Sequence, residues 1–261
     1  MRSLNIGATG MLAQQLNVET ISNNIANLNT TGFKASRPEF QDLLYQDERR
    51  VGSASSDAGT TVPSGIQIGL GVRTAAVYRN DAQGNLLPTS NPLDLAVQGV
   101  GFFQITLPNN EIAYTRAGSF QLDQNGQIVT ADGYQVRPGL TVPQNALSIT
   151  VNTSGQVLVK IAGTVDPQNI GQLQLTQFPN DDGLQAIGNN LFQETTASGQ
   201  PLDGNPGSNN FGTILQGFLE TSNVNVVSEI TNLITAQRAY EMNSRVIETS
   251  DQMLQTLSQV R

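Results

Sequence analysis

The sequence predicts an α+β protein: a discontinuous domain of paired N- and C-terminal long helices, coiled-coil-like, plus a central mainly-β domain. Apolar residues recur at heptad spacing near the N-terminus and again near the C-terminus. Between these ends, short apolar runs alternate with turn-forming dipeptides, the pattern of strands and hairpins.

Leu4, Met11, Val18 and Ile25 lie seven apart, and Ile21 and Leu28 follow the last two by three, which predicts one amphipathic helix from Leu4 to Leu28. Asn29, Thr30, Thr31 and Gly32 supply its stop signal, because asparagine and glycine tolerate the left-handed backbone that ends helices. From residue 1 to 32 the charged side chains are Arg2 and Glu19 alone. Asn5, Gln14, Gln15, Asn17, Asn23, Asn24, Asn27 and Asn29 fill the polar positions. A freely solvated helix carries lysine and glutamate four apart. An uncharged amide face suits a helix contacted on several sides, or one that lines a wet, neutral channel.

Val226, Leu233, Tyr240, Ile247 and Leu254 form the second heptad series, with Ala239, Val246, Met253 and Val260 one position earlier in each heptad. They predict a helix of about 35 residues, roughly 50 Å long. Ser222 or Asn223 is expected to cap it, with Glu229 against its positive end. Glu241 precedes Arg245 by four, the spacing of a surface ion pair. Each stripe needs an apolar partner, so the helices are expected to pair with each other or with neighbouring subunits. The expected division is a terminal helical assembly domain of 1–32 and 223–261, an extended connector of 33–90, and a mainly-β core domain of 91–222.

Within the connector, 45–65 reads as an exposed insertion. Its stretch DERRVGSASSDAGTTVPSG, 47–65, has Val51 and Val62 as its sizeable apolar side chains and Pro63 restricting the return path. In the core, strands are expected at 104–107, 120–122, 127–129 and 157–160. Turns are expected at Asp123-Gln124-Asn125-Gly126, Asp132-Gly133 and Ser154-Gly155.

Composition narrows the chemistry. The chain has 261 residues, enough for a buried core without staples, and no cysteine or histidine. Disulfides, thiolate metal sites, cysteine nucleophiles and histidine-dependent catalysis are therefore closed. Asp94, Asp123, Asp132, Asp181 and Asp182 remain as acids or calcium ligands. Asp123, Asn125 and Gly126 match part of a calcium loop, but its glutamate is missing, so turn chemistry is the expectation. Gly99 and Gly101 in GVGFF permit a tight path, with Phe102 or Phe103 anchoring a core, and no nucleotide-loop pattern follows. No catalytic, cofactor-binding or metal-binding residue is assigned.

A net charge of -8 argues against nucleic acid as a partner. No apolar run approaches the roughly 18 residues of a membrane span, and MRSLNIGATG lacks the unbroken apolar run of a cleaved signal peptide. Charged residues are 13 per cent, about half the usual share. Such a surface suits a subunit packed among others, and an ordinary secreted β-protein can show the same balance.

Four segments carry a resemblance: ANLNTTGFK from Ala26 to Lys34, NPLDLAVQGVGFF from Asn91 to Phe103, YTRAGSF from Tyr114 to Phe120, and LETSNVNVVSEITNLITAQRAYEMNSRVI from Leu219 to Ile247. In this order they resemble the flagellar rod and hook family of axial proteins, over essentially the whole length. The resemblance implies a structural subunit of the distal rod in the basal body. Such subunits are exported through the flagellar export apparatus without a cleaved signal and polymerise into a hollow helical shaft. It further implies terminal helices lining the channel, β-domains facing outward, and an insertion near 45–65 that stiffens the shaft. Implied partners are copies of itself, other rod proteins, the hook protein, and the peptidoglycan and outer-membrane ring proteins. The expected interface residues are Leu4, Met11, Val18, Ile21, Ile25, Leu28, Val226, Leu233, Tyr240, Ile247 and Leu254. The rival readings are a proximal rod or hook subunit, and an extracellular β-rich hydrolase with two carboxylates in one cleft.

Overall fold

The structure, a computed structural model, describes residues 2–49, 64–164, 166–208 and 210–259. The chain divides into two compact units. One comprises Met1–Ile25, Ser36–Tyr78 and Asn225–Arg261, the other Ala26–Ala35 and Arg79–Val224.

In the first unit, helix α1 runs Arg2–Ala26 and helix α2 runs Val226–Gln259, close to the spans that heptad spacing predicts. They run antiparallel, since contacts pair rising numbers on α1 with falling numbers on α2. Ser250 Oγ donates to Ser3 Oγ at 3.2 Å, and Asn24 Nδ2 donates to Glu229 Oε2 at 3.4 Å. Between these ends, a Cβ built on Gly7 would lie 3.0 Å from Ile247 Cγ1, and one on Gly10 would lie 2.8 Å from Asn243 Nδ2. Among the described residues, the buried positions of the two helices are Gly7, Ala13, Thr20, Ile21, Asn24, Ala236 and Ser250, and all but Ile21 carry small or polar side chains.

The cap of α2 is neither Ser222 nor Asn223. Asn225 Oδ1 accepts from the amides of Val227 at 3.1 Å and Ser228 at 3.2 Å, satisfying two orphan donors of the first turn. Ser222 Oγ instead accepts from the amide of Val224. Glu229 stands in the first turn, as expected. Asn24 is 2% exposed, with Nδ2 donating to the Ser36 carbonyl and Oδ1 accepting from the Ser36 amide, both at 2.8 Å.

The same unit holds strands β1 (Ser36–Asp42), β2 (Tyr45–Arg49), β3 (Ile66–Gly69) and most of β4 (Val72–Arg79). β1 pairs with β4, and β2 pairs antiparallel with β3, with Tyr45 opposite Gly69 and Asp47 opposite Gln67. The stretch read as a connector thus carries paired strands, and the insertion has a hydrogen-bonded base. Val51, Val62 and Pro63 lie outside the described residues.

The second unit is β-rich. Its strands are β5 (Leu86–Pro88), β6 (Leu95–Gln98), β7 (Phe102–Thr106), β8 (Ile112–Thr115), β9 (Gln121–Leu122), β10 (Ile128–Val129), β11 (Gln135–Val136), β12 (Ala146–Val151), β13 (Gln156–Ile161) and β14 (Gln168–Gln172). Then follow β15 (Leu175–Gln177), β16 (Gln185–Gly188), β17 (Leu191–Gln193), β18 (Leu202–Gly204), β19 (Thr213–Gln216) and β20 (Phe218–Glu220). The main sheet runs β16-β17-β8-β7-β11-β10-β9, with β15 also paired to β7 and β18 to β15. β12, β13 and β14 form a three-stranded sheet, while β6 pairs with β19 and β5 with β20.

Alternation along β7 divides the core, because successive strand residues point to opposite faces. Phe103 and Ile105 join Leu95, Val97, Phe120, Ile128 and Ile214 in the main cluster. Phe102 packs with Tyr114, Phe178 and Leu184 in a second cluster, so both candidate phenylalanines are anchors. The acidic turn signals act as turns. Asp123 Oδ1 accepts from the amides of Asn125 at 2.8 Å and Gln127 at 2.7 Å, and Asn152 Oδ1 repeats the pattern with Ser154 and Gln156.

Candidate functional sites: the helix faces and a buried charge centre

The eleven expected interface residues divide by surroundings. On α1, Ile21 is buried and Leu4, Met11, Val18 and Ile25 are half-buried, while Leu28 is half-buried in the second unit. On α2, Val226, Leu233, Ile247 and Leu254 are half-buried, and Tyr240 is 44% exposed. The structure brings Ile247 to Gly7 and sets Val18 and Tyr240 in one groove with Gln15, Glu19, Gln237 and Glu241.

A different set of apolar residues is exposed to solvent. Ile6 and Leu12 do so on α1, and Val227, Ile230, Ile234, Met242, Val246 and Met253 on α2, with Val227 at 76% and Met242 at 67% exposure. Val227, Ile230 and Ile234 repeat at intervals of three and four, a helical spacing that the more regular heptads of the other face obscured. Among the described residues, no helix is long and apolar enough to cross a membrane.

The second unit contains a charge centre that sequence reasoning missed. It begins at Gly32, six residues beyond the end of α1, whose φ of 68° belongs to a turn in which the Phe33 amide donates to the Thr30 carbonyl at 3.3 Å. A Cβ there would lie 2.8 Å from the Ala117 amide nitrogen, so only glycine fits against the chain beside Arg116. The Gly32 amide donates to the Glu220 carbonyl at 2.8 Å. Two residues on, Lys34 Nζ donates to Glu220 Oε1 at 2.7 Å and to the Ala82 carbonyl at 2.9 Å.

Glu220 ends β20 and is 1% exposed. Its Oε1 also accepts from the Gly84 amide at 3.0 Å. Its Oε2 lies 3.1 Å from Arg116 Nε, a charge contact without hydrogen-bond alignment. Arg116 follows β8 and donates through Nη1 to the Gly101 carbonyl and through Nη2 to the Gly99 carbonyl. Burial pushes the Lys34 ammonium and the Arg116 guanidinium below their ordinary pKa values, against the attraction of Glu220, which acts to raise both.

A cavity of about 280 Å³ adjoins the centre, lined by Lys34, Arg116, Asp81, Asp181, Gly99 and Phe102 among others. Asp181 has a buried Oδ1 without a hydrogen-bond partner, and burial raises its pKa. Arg79 lies 4.4 Å over the Phe192 ring and donates to the Asp181 carbonyl at 2.7 Å.

All four sequence segments thus meet at one charge centre. ANLNTTGFK brings Gly32 and Lys34, NPLDLAVQGVGFF the carbonyls of Gly99 and Gly101, YTRAGSF Arg116, and LETSN Glu220 itself. Charged residues embedded in otherwise uncharged segments of a charge-poor chain were the available signal.

Residues 4–34 match the family model described as flagella basal body rod protein, and residues 96–159 match the flagellar hook protein FlgE/F/G D1 domain. Residues 215–260 match the flagellar basal body rod FlgEFG protein C-terminal region. The chain is 59% identical to the flagellar basal-body rod protein FlgG of Caulobacter vibrioides over 100% of both chains. It is 53% identical to that of Buchnera aphidicola subsp. Schizaphis graminum over 99% of both, and 39% identical to that of Bacillus subtilis over 98% of both. The chain belongs to the FlgG family of flagellar basal-body rod proteins.

Proposed function

We infer that this chain is a structural subunit of the distal flagellar rod, which polymerises with copies of itself into a hollow helical shaft in the basal body. The observation that carries this reading is the solvent-exposed apolar set on α2: Val227, Ile230, Ile234, Met242, Val246 and Met253. A helix of 34 residues with apolar side chains on two faces covers one against its own chain and needs a neighbour for the other. The family is a structural one, and the hydrolase reading is dropped.

In this reading segments 1–32 and 223–261 assemble, and the antiparallel contacts from Ser3–Ser250 to Asn24–Glu229 support a coiled-coil-like pairing within each subunit. The heptad residues Leu4, Met11, Val18, Ile21, Ile25, Leu28, Val226, Leu233, Tyr240, Ile247 and Leu254 complete the packing as subunits come together. Residues 91–222 supply the β-core, joined to the helices through 33–90. The shaft passes exported subunits, meets other rod proteins and the hook protein at its ends, and turns inside the peptidoglycan and outer-membrane ring proteins after delivery by the export apparatus. The paired base of the insertion, Tyr45–Arg49 with Ile66–Gly69, supports its role as an arm that stiffens the shaft.

Electron microscopy of the purified chain under assembly conditions tests the reading. Straight hollow filaments are expected from the native chain, and none from a variant carrying both Ile230→Asp and Ile234→Asp, whose melting temperature stays unchanged. Normal filaments from that variant would overturn the assignment of this face.

A further inference from the structure

The chain passes between its two units at Ile25/Ala26, Ala35/Ser36, Tyr78/Arg79 and Val224/Asn225. Three of these crossings adjoin residues that share hydrogen bonds within the second unit. Asn223 makes the plainest case. Its Oδ1 accepts from the Ala35 amide at 2.7 Å, and its Nδ2 donates to the carbonyls of Asn80 at 2.7 Å and Ala82 at 2.9 Å. One amide therefore ties the segments that leave at Ala35 and Val224 to the segment that enters at Arg79. The fourth crossing, at Ala26, opens the segment that the Gly32 amide anchors to the Glu220 carbonyl.

We propose that Asn223 and the Lys34–Glu220–Arg116 centre form a mechanical clamp, which shares tension arriving along the crossing segments before it reaches the β-sheets. Tension on a single segment breaks its hydrogen bonds one after another, whereas bonds cross-linked at a common point must fail together. Glu220 Oε1 joins Lys34 to Gly84, and Arg116 extends the joint to the carbonyls of Gly99 and Gly101 at the start of β7.

Net stability does not account for these charges. Removing three charges from water costs several kcal/mol per ion, and a well-packed apolar trio is often as stable or more so. The lowered pKa values of Lys34 and Arg116 carry the same message, since burial outweighs their attraction to Glu220. What an ionic centre adds is several directed bonds from one point to separate segments, and it stands where the chain crosses between units. The inference rests on the shaft reading for its purpose, because a subunit under torque is the one that needs tension shared.

The test is single-molecule pulling on the full-length monomer, which does not depend on polymerisation. The chain has no cysteine, so introduced cysteines attach the handles. With Arg238→Cys and Asn109→Cys, tension enters the second unit at Val224 and loads the clamp. With Asp132→Cys and Lys160→Cys, both exposed, tension crosses the β-sheets alone, because no residue of the clamp lies between the two handles. Asn223→Ala is expected to speed rupture at fixed force by about tenfold in the first geometry and to leave the second unchanged. Lys34→Met is expected to do the same. If Lys34→Met fails to fold, the half-buried Asn223 carries the test. Equal acceleration in both geometries, or none in either, would overturn the clamp. Filament assembly by the same variants reads the shaft assignment separately.

Discussion

Gly7 of α1 faces Ile247 of α2 so closely that a single methyl group on Gly7 would sit 3.0 Å from Ile247 Cγ1. Alanine at position 7 adds about 1 kcal/mol of helix propensity and asks the isoleucine to give by a few tenths of an ångström, so Gly7→Ala is expected to be near neutral. Gly7→Leu has no such room and is expected to cost about 1–3 kcal/mol by forcing the helices apart. Thermal melts followed by far-UV circular dichroism separate the two. Equal stability of Gly7→Leu and the native chain would remove the close approach.

Neighbouring residues on α2 are expected to fail in different ways. Ile247→Asp sets a carboxylate against Gly7 and should destabilise the helix pair by about 2–4 kcal/mol while leaving the β-rich unit folded. Val246→Asp faces solvent and should change stability by less than about 0.5 kcal/mol, yet abolish filaments. Hydrogen exchange on the monomer and electron microscopy of assembled samples read the two effects. A destabilised Val246→Asp beside a native-like Ile247→Asp would reverse the faces.

Gly118 is expected to tolerate no side chain. A Cβ there would lie 1.5 Å from the Leu95 carbonyl oxygen, and the Leu95 amide donates to the Gly118 carbonyl at 2.9 Å, so the two backbones are held at contact distance. Gly118→Ala must separate them and is expected to cost more than about 4 kcal/mol. Loss of dispersed amide signals from the β-rich unit checks this, and a folded Gly118→Ala protein would contradict it.

Asp181 should make stability fall as its carboxyl ionises. Burial raises its pKa in the folded chain above the ordinary 3.8, with Arg116 and Arg79 opposing the shift. Between 3.8 and the raised value the folded chain binds more proton than the unfolded one, so this group's contribution is full below pH 3.8 and is lost as pH rises through the raised value. Asp181→Asn removes the ionisation and is expected to stabilise the chain at neutral pH by roughly 1 kcal/mol, because the buried Oδ1 no longer carries charge. Denaturant midpoints should show that gain shrinking in acid, and a pH-independent difference would exclude the linkage.

The residue pattern alone specified both long helices, because heptad recurrence over many turns is a local property that survives any tertiary arrangement. It determined the hairpin turns for the same reason: Asp123 and Asn152 bond to amides two and four residues away. The family resemblance was legible too, carried by four segments in order along the chain.

Tertiary structure decided what each candidate does when partners compete. Asn223 has the chemistry of a cap, yet its amide serves Ala35, Asn80 and Ala82, and Asn225 caps α2 instead. Heptads marked the apolar faces, but the closest approach fell at Gly7 and Gly10, where the absent side chain gives α2 room. Lys34 and Glu220 lie 186 residues apart, and each alone reads as a surface charge. A charge enters the interior only where folding brings it a counter-charge and enough hydrogen-bond partners to offset the loss of water, and no local pattern encodes partners so remote.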